Sequence, residues 1–456
     1  MGRPVILQKV QLITGFLVLM LLLTSVNWFQ ARAAETLNIR VGLALNAAKA
    51  GFGVEGSYIL VDGGSNREIT IINPGETWEA TVLGDTALYV KGPDGQVFPL
   101  PMGGLYALGG SGQTIPLGNN YALTNESGVV SNRSGIQLSR NGQIIGAFNG
   151  PILVKEVSHQ GSNLVNINGT RYRGELEMRK TGNALTLINK LPIEEYLYGV
   201  VPREMPSSWP VEALKAQAVA ARTYVIQQKG RYESQGFDVM ATDQSQVYGG
   251  LSGEKPSTNA AVDATRGEIV TYNGQPITAV YHSSSGGYTE NSEEVWTNPV
   301  PYLRSKVDLL DVNSAHYNWQ KVFTAEELKN QINLARNLDF ATITDLAIEK
   351  MSASGARVQI LQVVGTDIKG QPKTLRLLNA DNVRSAFGLK SAPQTVVEEV
   401  DSMKNLVKIT FTGNGWGHGL GMSQYGASGM ARAGNNYRQI LEHYYTGITI
   451  ASNYNQ

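Results

Sequence analysis

Cysteine is absent from the 456-residue chain. Disulfide bonds, a cysteine nucleophile, a lipid-attachment cysteine and thiolate metal ligands are therefore excluded. Charge is also sparse, because Asp, Glu, Lys and Arg make up 17% of the chain and cancel to a formal net charge of zero. Nucleic acids require a concentrated basic surface, which this composition does not indicate, so we expect no nucleic-acid partner.

The N-terminus has the pattern of an export signal. Arg3 and Lys9 precede the apolar run "LITGFLVLMLLLTSVNWF" (12–29), and Ala31-Arg32-Ala33 fits a small-residue cleavage site. We expect residues 1–33 to be removed, which leaves a formal charge of −3, and the protein to lie in the periplasm, in the cell wall or on the outer face of the cytoplasmic membrane. An uncleaved anchor is the alternative, since 18 apolar residues are barely enough to span a bilayer. Contact with a membrane is expected only in that case.

Two domains are expected from the length of the chain. From about 37 to 175, short alternating runs such as "REITIINPG" are separated by Gly, Pro and Asp, which predicts strands and hairpins. An Ala-rich helix is predicted from Pro210 to Lys229, capped by Ser207 or Ser208, and its small residues favour a central, closely packed position. We predict an α+β fold, with a β-rich region at 34–150 and a mixed α/β catalytic domain at 151–456 built around this helix.

Glu204 stands in "REMP", directly before the predicted helix, where rigid flanks can hold a carboxylate in a cleft. The alternative is a charge that complements the N-terminal end of the helix dipole. Lys215 and Arg222 are seven residues apart, so on a helix they lie within about 20° of each other. Such a stripe is usually a solvated face, but the surrounding alanines also allow it to line a groove.

Histidines stand in two glycine- or serine-rich segments, His282 in "YHSSSGGYTE" and His418 in "GWGHGLG". Each is either structural or part of a site. The serines after His282 lack the G-x-S-x-G pattern of a serine hydrolase. The glycine-rich segment at 413–434 lacks the G-K-[ST] of a phosphate loop, and no H-E-x-x-H indicates a metal site. We predict no metal and no cofactor.

Several segments between about 170 and 450 together resemble the sporulation stage II protein D family, also called the amidase-enhancer family of peptidoglycan lytic transglycosylases. They are "LPIEEYLYGVVPREMPSSWPVEALKAQAVAARTYV", "TDQSQVYGG", "TRGEIVTYNGQPITAVYHSSSGGYTENSEEVW" and "GWGHGLGMSQYGASGMARAG". The resemblance implies a lytic transglycosylase that acts on peptidoglycan glycan strands. It implies that Glu204 is the catalytic acid/base and that Lys215 and Arg222 line the site. Some relatives bind zinc through cysteines near "QVYGG", where this chain has none.

A lytic transglycosylase needs one carboxylate, because the C6 hydroxyl of the sugar attacks its own anomeric carbon. Glu204 then requires a raised pKa, which burial against Met205 or Trp209 would provide, and the two cations should lie further off. Further candidates for lining the groove are Gln246, Tyr248, His282, Ser283, Ser284, His418 and Gln424.

Two other functions stay open. One is a non-catalytic, peptidoglycan-binding enhancer of a cell-wall amidase, in which Glu204 is replaceable. The other is a lysozyme-type hydrolase, which needs a second acid such as Asp243, Glu290 or Glu293.

Overall fold

The structure is a computed structural model that describes residues 37–83, 135–159 and 162–452, together with the backbone of six short strands between 89 and 130. The expected export signal at 1–33 lies outside the described residues. None of the described helices is long and apolar enough to cross a membrane.

Strands dominate the first half of the described chain, as the alternating apolar pattern predicted. They are β1 (Asn38–Ala47), β2 (Lys49–Glu55), β3 (Tyr58–Asp62), β4 (Arg67–Ile72), β5 (Trp78–Leu83), β6 (Tyr89–Lys91), β7 (Val97–Pro99), β8 (Leu105–Leu108), β9 (Thr114–Leu117), β10 (Leu123–Asn125), β11 (Gly128–Val130), β12 (Gly135–Arg140), β13 (Gln143–Phe148), β14 (Ile152–Glu156), β15 (Leu164–Ile167), β16 (Thr170–Arg173), β17 (Glu175–Thr181) and β18 (Ala184–Pro192).

Helices and shorter strands follow. The helices are α1 (Ile193–Glu204), α2 (Val211–Gln228), α3 (Pro256–Ala264), α4 (Ser292–Val295), α5 (Ala325–Arg336), α6 (Ala380–Ala386), α7 (Gln424–Arg432) and α8 (Tyr437–Tyr444). The strands are β19 (Val239–Met240), β20 (Ile269–Tyr272), β21 (Gln275–Pro276), β22 (Tyr281–His282), β23 (Asn318–Thr324), β24 (Phe340–Met351), β25 (Val358–Asp367), β26 (Pro372–Leu377), β27 (Thr395–Val400), β28 (Leu406–Asn414), β29 (Met422–Ser423) and β30 (Thr449–Ala451). The predicted α+β class with a strand-rich first half is confirmed.

Two large sheets share one apolar core in the first half. The strand orders are β19-β1-β18-β17-β14-β3-β4 and β13-β12-β5-β2-β15-β16. Both contribute buried side chains to the core, for example Leu60 and Val154 from the first sheet and Trp78 and Val165 from the second. The sheets run across the expected domain boundary at residue 150, because β14, β15 and β18 pair with β3, β2 and β1, which precede it.

Helix α2 lies at the centre of the second half. Ala218, Ala221 and Val225 pack toward α1 and the first sheet, whereas Ala216 and Ala220 belong to the core that α7 and α8 share. Alanines on both sides allow this close approach, and the predicted central position is confirmed. The helix begins one residue after Pro210, and neither Ser207 nor Ser208 caps it, because the residue before the first turn is Pro210 itself.

Residues 318–414 build a smaller module with its own core. Two three-stranded antiparallel sheets, β23-β28-β27 and β24-β25-β26, pack with α5 and α6 around Phe323, Leu361 and Phe411. Thr324 and Glu327 form a capping box at the start of α5, as the spacing of a threonine and a glutamate three residues apart indicates. After β28 the chain leaves the smaller module and continues into the glycine-rich segment.

Candidate active site

Glu204 is the last residue of α1 rather than a charge before α2. Helix α1 forms because Ile193, Tyr196, Leu197, Val200 and Val201 recur at helical spacing, and all five are buried. The negative end of the α1 dipole therefore faces Glu204, so the alternative of a carboxylate that complements a helix N-terminus does not apply. Met205 follows the helix in an extended conformation and is buried.

Uncharged donors surround the partly buried Glu204 carboxylate. They are the Tyr281 hydroxyl, the Gln424 side-chain amide and the backbone N–H of Val247. Each donor favours the ionised carboxylate and so lowers its pKa, but burial acts more strongly in the other direction. The net result raises the pKa of Glu204 to about 7, in the direction that a general acid requires.

Charged side chains take no part in this shift. Among the residues that the structure describes, none with a formal charge contributes to the pKa of Glu204. The carboxylate is therefore desolvated without a cation to compensate it. A carboxyl group in such an environment is a candidate for proton transfer.

A second layer of amides fixes the donors. The Tyr281 hydroxyl accepts a hydrogen bond from Gln246 Nε2 at 3.1 Å, and Gln246 Oε1 accepts one from the Tyr196 hydroxyl at 3.2 Å. Because the Tyr281 oxygen already accepts from Gln246, its own proton is directed toward Glu204. On the other side, Gln424 Nε2 donates to Oε1 of the buried Gln217 at 3.3 Å.

A short parallel strand pair brings these side chains together. In it, β22 pairs with β29, so that Tyr281 is opposite Met422 and Gln424 follows directly at the start of α7. Glycine is required at 421, because a Cβ there would meet the Val280 carbonyl oxygen and the backbone has a φ of +64°. The glycine density of this segment thus reflects the close approach of two backbones.

Lys215 and Arg222 have partners other than Glu204, and neither contributes to the shift of its pKa. Lys215 Nζ is 2.7 Å from Glu212 Oε1 and 5.8 Å from the centre of the Tyr437 ring. Arg222 is fully buried, and its guanidinium bonds both carboxylate oxygens of Glu194. The expected substrate contact by Arg222 is not supported by this placement, because no surface of its side chain is open to substrate.

Three other predicted site residues are buried or half-buried and have partners other than Glu204. Tyr248 is buried and donates its hydroxyl proton to Asn189 Oδ1 at 3.0 Å. The rings of His282 and His418 lie 5.5 Å apart. Burial lowers the pKa of His418 to about 4 and that of His282 well below its usual value, so both imidazoles are neutral near pH 7. Neither histidine is therefore a charged partner for Glu204.

The predicted serines have different surroundings. Ser284 is buried and its hydroxyl donates to Asp311 Oδ2 at 2.6 Å, within a network that also contains Asp308, Ser285 and Ser423. Ser283 is half-buried, and its carbonyl oxygen accepts the backbone N–H of Tyr425. Ser284 is therefore a structural residue, whereas Ser283 lies next to the segment that carries Gln424.

The candidate second acids are engaged elsewhere. Glu290 is fully buried, bonds Ser354 and lies 3.5 Å from Arg357 Nε. Glu293 pairs with Arg304 at 2.6 Å, and Asp243 is exposed. None of the three is among the groups that shift the pKa of Glu204. Across the described ranges, no group of three or more His, Asp or Glu side chains is placed to hold a metal ion.

Sequence reasoning missed Tyr281, Gln217 and the backbone of Val247. A signal for Tyr281 was available, because it directly precedes His282 in a segment already chosen. Gln217 lies on α2 among alanines, and a polar residue that must be buried on such a helix needs a partner. The backbone contribution of Val247 leaves no trace in side-chain chemistry.

Two family models match parts of the chain. A family model described as Stage II sporulation protein (SpoIID) matches residues 181–272, and one described as a domain of unknown function (DUF8618) matches residues 303–421. The first range contains Glu204, Gln217 and Gln246. The second covers all of the smaller module and the start of the glycine-rich segment.

Relatives match over longer ranges. Stage II sporulation protein D of Bacillus subtilis is 36% identical over 281 residues, which is 58% of this chain and 76% of that protein. An uncharacterized protein of Brachyspira hyodysenteriae is 35% identical over 333 residues, covering 72% of this chain and 83% of that protein. The amidase enhancer of Bacillus subtilis is 33% identical over 347 residues, 68% of this chain, and the match spans about half (48%) of that protein's length. The chain belongs to the stage II sporulation protein D family.

Proposed function

We propose that this protein is an exported lytic transglycosylase that cleaves the glycan strands of peptidoglycan with Glu204 as its single acid/base. The observation that carries the proposal is a partly buried carboxyl group with neutral donors, no charged partner among the described residues and a pKa raised to about 7. Such a group is protonated in a useful fraction near neutral pH and can also accept a proton afterwards.

The chemistry needs two proton transfers at one carboxyl group. Protonated Glu204 donates to the glycosidic oxygen between MurNAc and GlcNAc as the C1–O bond breaks. The resulting carboxylate takes the proton of the MurNAc C6 hydroxyl, whose oxygen attacks C1 and closes a 1,6-anhydro ring. Water is not consumed, and Glu204 ends in its starting protonation state.

The donor arrangement suits this cycle. A carboxylate has about four lone-pair sites, and the Tyr281 hydroxyl, the Gln424 amide and the Val247 N–H use three of them. These donors leave room for a proton on the carboxyl group. The same donors stabilise the carboxylate that forms when the leaving oxygen is protonated.

A hydrolase of the lysozyme type requires a second carboxyl group close to the first. Glu290 and Glu293 are paired with arginines, and neither influences the pKa of Glu204. This favours intramolecular attack by the sugar over activation of a water molecule by a second acid.

Product analysis tests the proposal. Purified protein and Glu204→Gln are incubated with intact sacculi and with sacculi stripped of stem peptides, and the soluble fragments are weighed by mass spectrometry. We expect 1,6-anhydro-MurNAc ends from the parent and a rate at least about 10³ lower for the variant, since it lacks the general acid. Reducing ends from the parent would instead establish a hydrolase.

A non-catalytic role is the second candidate, because one relative bears the name amidase enhancer. In that role the partner is a cell-wall amidase, and Glu204→Gln retains function. The absence of glycan cleavage by both proteins, together with stimulated amidase activity by both, would replace the transglycosylase proposal with this one.

A further inference from the structure

A row of aromatic rings starts at Tyr425, next to the Glu204 donor Gln424. Tyr425 follows Gln424, and its ring centre lies 4.9 Å from that of Trp209, which is five residues after Glu204. The ring of His316 lies 6.3 Å from Tyr425 and 4.3 Å from Trp416. The row thus begins at the residue that follows Gln424, a donor to Glu204, and extends to Trp416 in the glycine-rich segment.

At the far end of the row an exposed tryptophan lies beside a positively charged lysine. Trp416 is 44% exposed, which is unusual for so large an apolar side chain, and Lys390 Nζ lies 5.4 Å from the centre of its ring. Lys390 takes part in none of the ion pairs among the described residues. An aromatic face and an unpaired ammonium group are therefore presented together.

Backbone contacts hold this pair in place. Trp416 exchanges two backbone hydrogen bonds with Ser284, and the Lys390 carbonyl oxygen accepts the N–H of Gly417 at 2.8 Å. Both residues therefore belong to segments whose backbones are hydrogen-bonded, Trp416 to Ser284 and Lys390 to Gly417. A rigidly mounted aromatic residue binds with little loss of conformational entropy.

We propose that Trp209, Tyr425, His316 and Trp416 line a groove that binds a glycan strand on one side of Glu204, and that Trp416 with Lys390 binds a sugar bearing a carboxylate. The apolar C–H face of a pyranose packs on aromatic rings, and an ammonium group pairs with a carboxylate. The identity of the strand rests on the proposed function. In peptidoglycan the carboxylate belongs either to the stem peptide or, once that is removed, to the lactyl group of MurNAc.

Binding measured without turnover tests this groove. Trp416→Ala and Lys390→Gln are each made in the Glu204→Gln background, and affinity is measured by sedimentation with intact sacculi, stem-stripped glycan strands and chitin, which has no carboxylate. Trp416→Phe is the conservative control for the ring, and Lys350→Gln, an exposed lysine of the same module, is the control for charge. Melting temperatures confirm that each variant is folded.

We expect Trp416→Ala to weaken binding to all three polymers about tenfold and Trp416→Phe to restore most of it. Lys390→Gln should weaken binding about fivefold to a carboxylate-bearing strand and not to chitin, and this loss should disappear at roughly 0.5 M salt. A loss with intact sacculi alone identifies the stem peptide, and a loss with stripped strands alone identifies the lactyl group.

Unchanged binding by Trp416→Ala would contradict the proposal that these aromatic residues line a glycan-binding groove. An equal effect of Lys390→Gln on chitin, or an effect no larger than that of Lys350→Gln, overturns the carboxylate site. These failures are separate from failure of the proposed function, which would appear as a parent protein that yields no anhydro ends although the groove variants still lose binding.

Discussion

Helix α1 carries a buried glutamate, Glu194, in its first turn and a partly buried glutamate, Glu204, at its end. The two have opposite surroundings. Glu194, in the first turn, is 2% exposed and receives the Arg222 guanidinium at 2.6 Å. It also accepts the backbone N–H of Gly267 at 3.1 Å. Its charge is compensated by a cation and is favoured by the positive end of the helix dipole.

Glu204 lies at the other end of the same helix without either form of compensation. Its donors are neutral, and the negative end of the dipole disfavours its charge. One carboxylate thus stabilises the fold, whereas the other is held in an environment that makes its proton available. Both residues are glutamates on the same helix. Their surroundings alone therefore decide which of them is suited to proton transfer.

The largest effect on stability should come from breaking the compensated pair. Arg222→Met leaves the Glu194 carboxylate buried without its cation, so we expect the free energy of unfolding to fall by about 3–5 kcal/mol. The double variant Glu194→Leu/Arg222→Met should recover most of the loss, because no buried charge remains. Urea unfolding curves measure both values.

Lys215→Met is the matched control on the same face of α2. The Lys215–Glu212 pair is partly exposed, so its loss should cost less than about 1 kcal/mol. Equal destabilisation by Lys215→Met and Arg222→Met would contradict the contrast between the two cations. Cleavage assays well below the melting temperature would then show whether Arg222 contributes to turnover beyond its role in the fold.

Because Glu204 is desolvated without a cation, the free energy of unfolding should depend on pH. The pKa of Glu204 in the folded protein, about 7, lies above its ordinary value of 4.5, so folding favours the protonated form. That contribution is complete below about pH 4.5 and is lost as the pH rises through about 7. Glu204→Gln should therefore be more stable than the parent by up to about 3 kcal/mol near pH 9 and about equal to it near pH 4.

Glu293→Gln provides a control of opposite sign. Hydrogen bonding and charge from Arg304 lower the pKa of Glu293 to about 2, so its ionised form stabilises the fold at neutral pH. Removing it should destabilise the protein at pH 7, with a difference that shrinks below about pH 4. A Glu204→Gln variant that is less stable than the parent at alkaline pH would refute the view that burial raises the pKa of Glu204.

Much of the fold was predictable because the local patterns agree with the final packing. The alternating runs became strands, Thr324 and Glu327 formed a capping box, and the Asn273-Gly274 turn joins β20 and β21. Helix α1 was missed although its apolar residues recur at helical spacing. Pro202 lies in its last turn, and a proline inside a helix removes one backbone hydrogen bond, so the sequence there argues against a helix.

The site was predictable only to the level of its segments. The four stretches that carry Glu204, Gln246, Tyr281 and Gln424 were all singled out, but the sequence contains no measure of which side chain in each stretch faces the carboxylate. Arg222 illustrates the limit. Its spacing from Lys215 indicates a shared stripe, and only tertiary packing reveals that Glu194 neutralises it within the core.

The smallest expected effect concerns the neutral donors that partly offset the burial of Glu204. Tyr281→Phe removes a hydrogen bond that lowers the pKa of Glu204, so that pKa should rise by about half a unit to one unit. The carboxyl carbon of Glu204, followed by NMR as the pH is raised, reports this value whether or not the protein cleaves glycan. If Glu204 is the acid, the alkaline limb of the rate profile should move upward by the same amount. Tyr248→Phe is the control, because that hydroxyl bonds Asn189, and a shift as large as that of Tyr281→Phe would mean that the donors act through general packing rather than through the carboxylate.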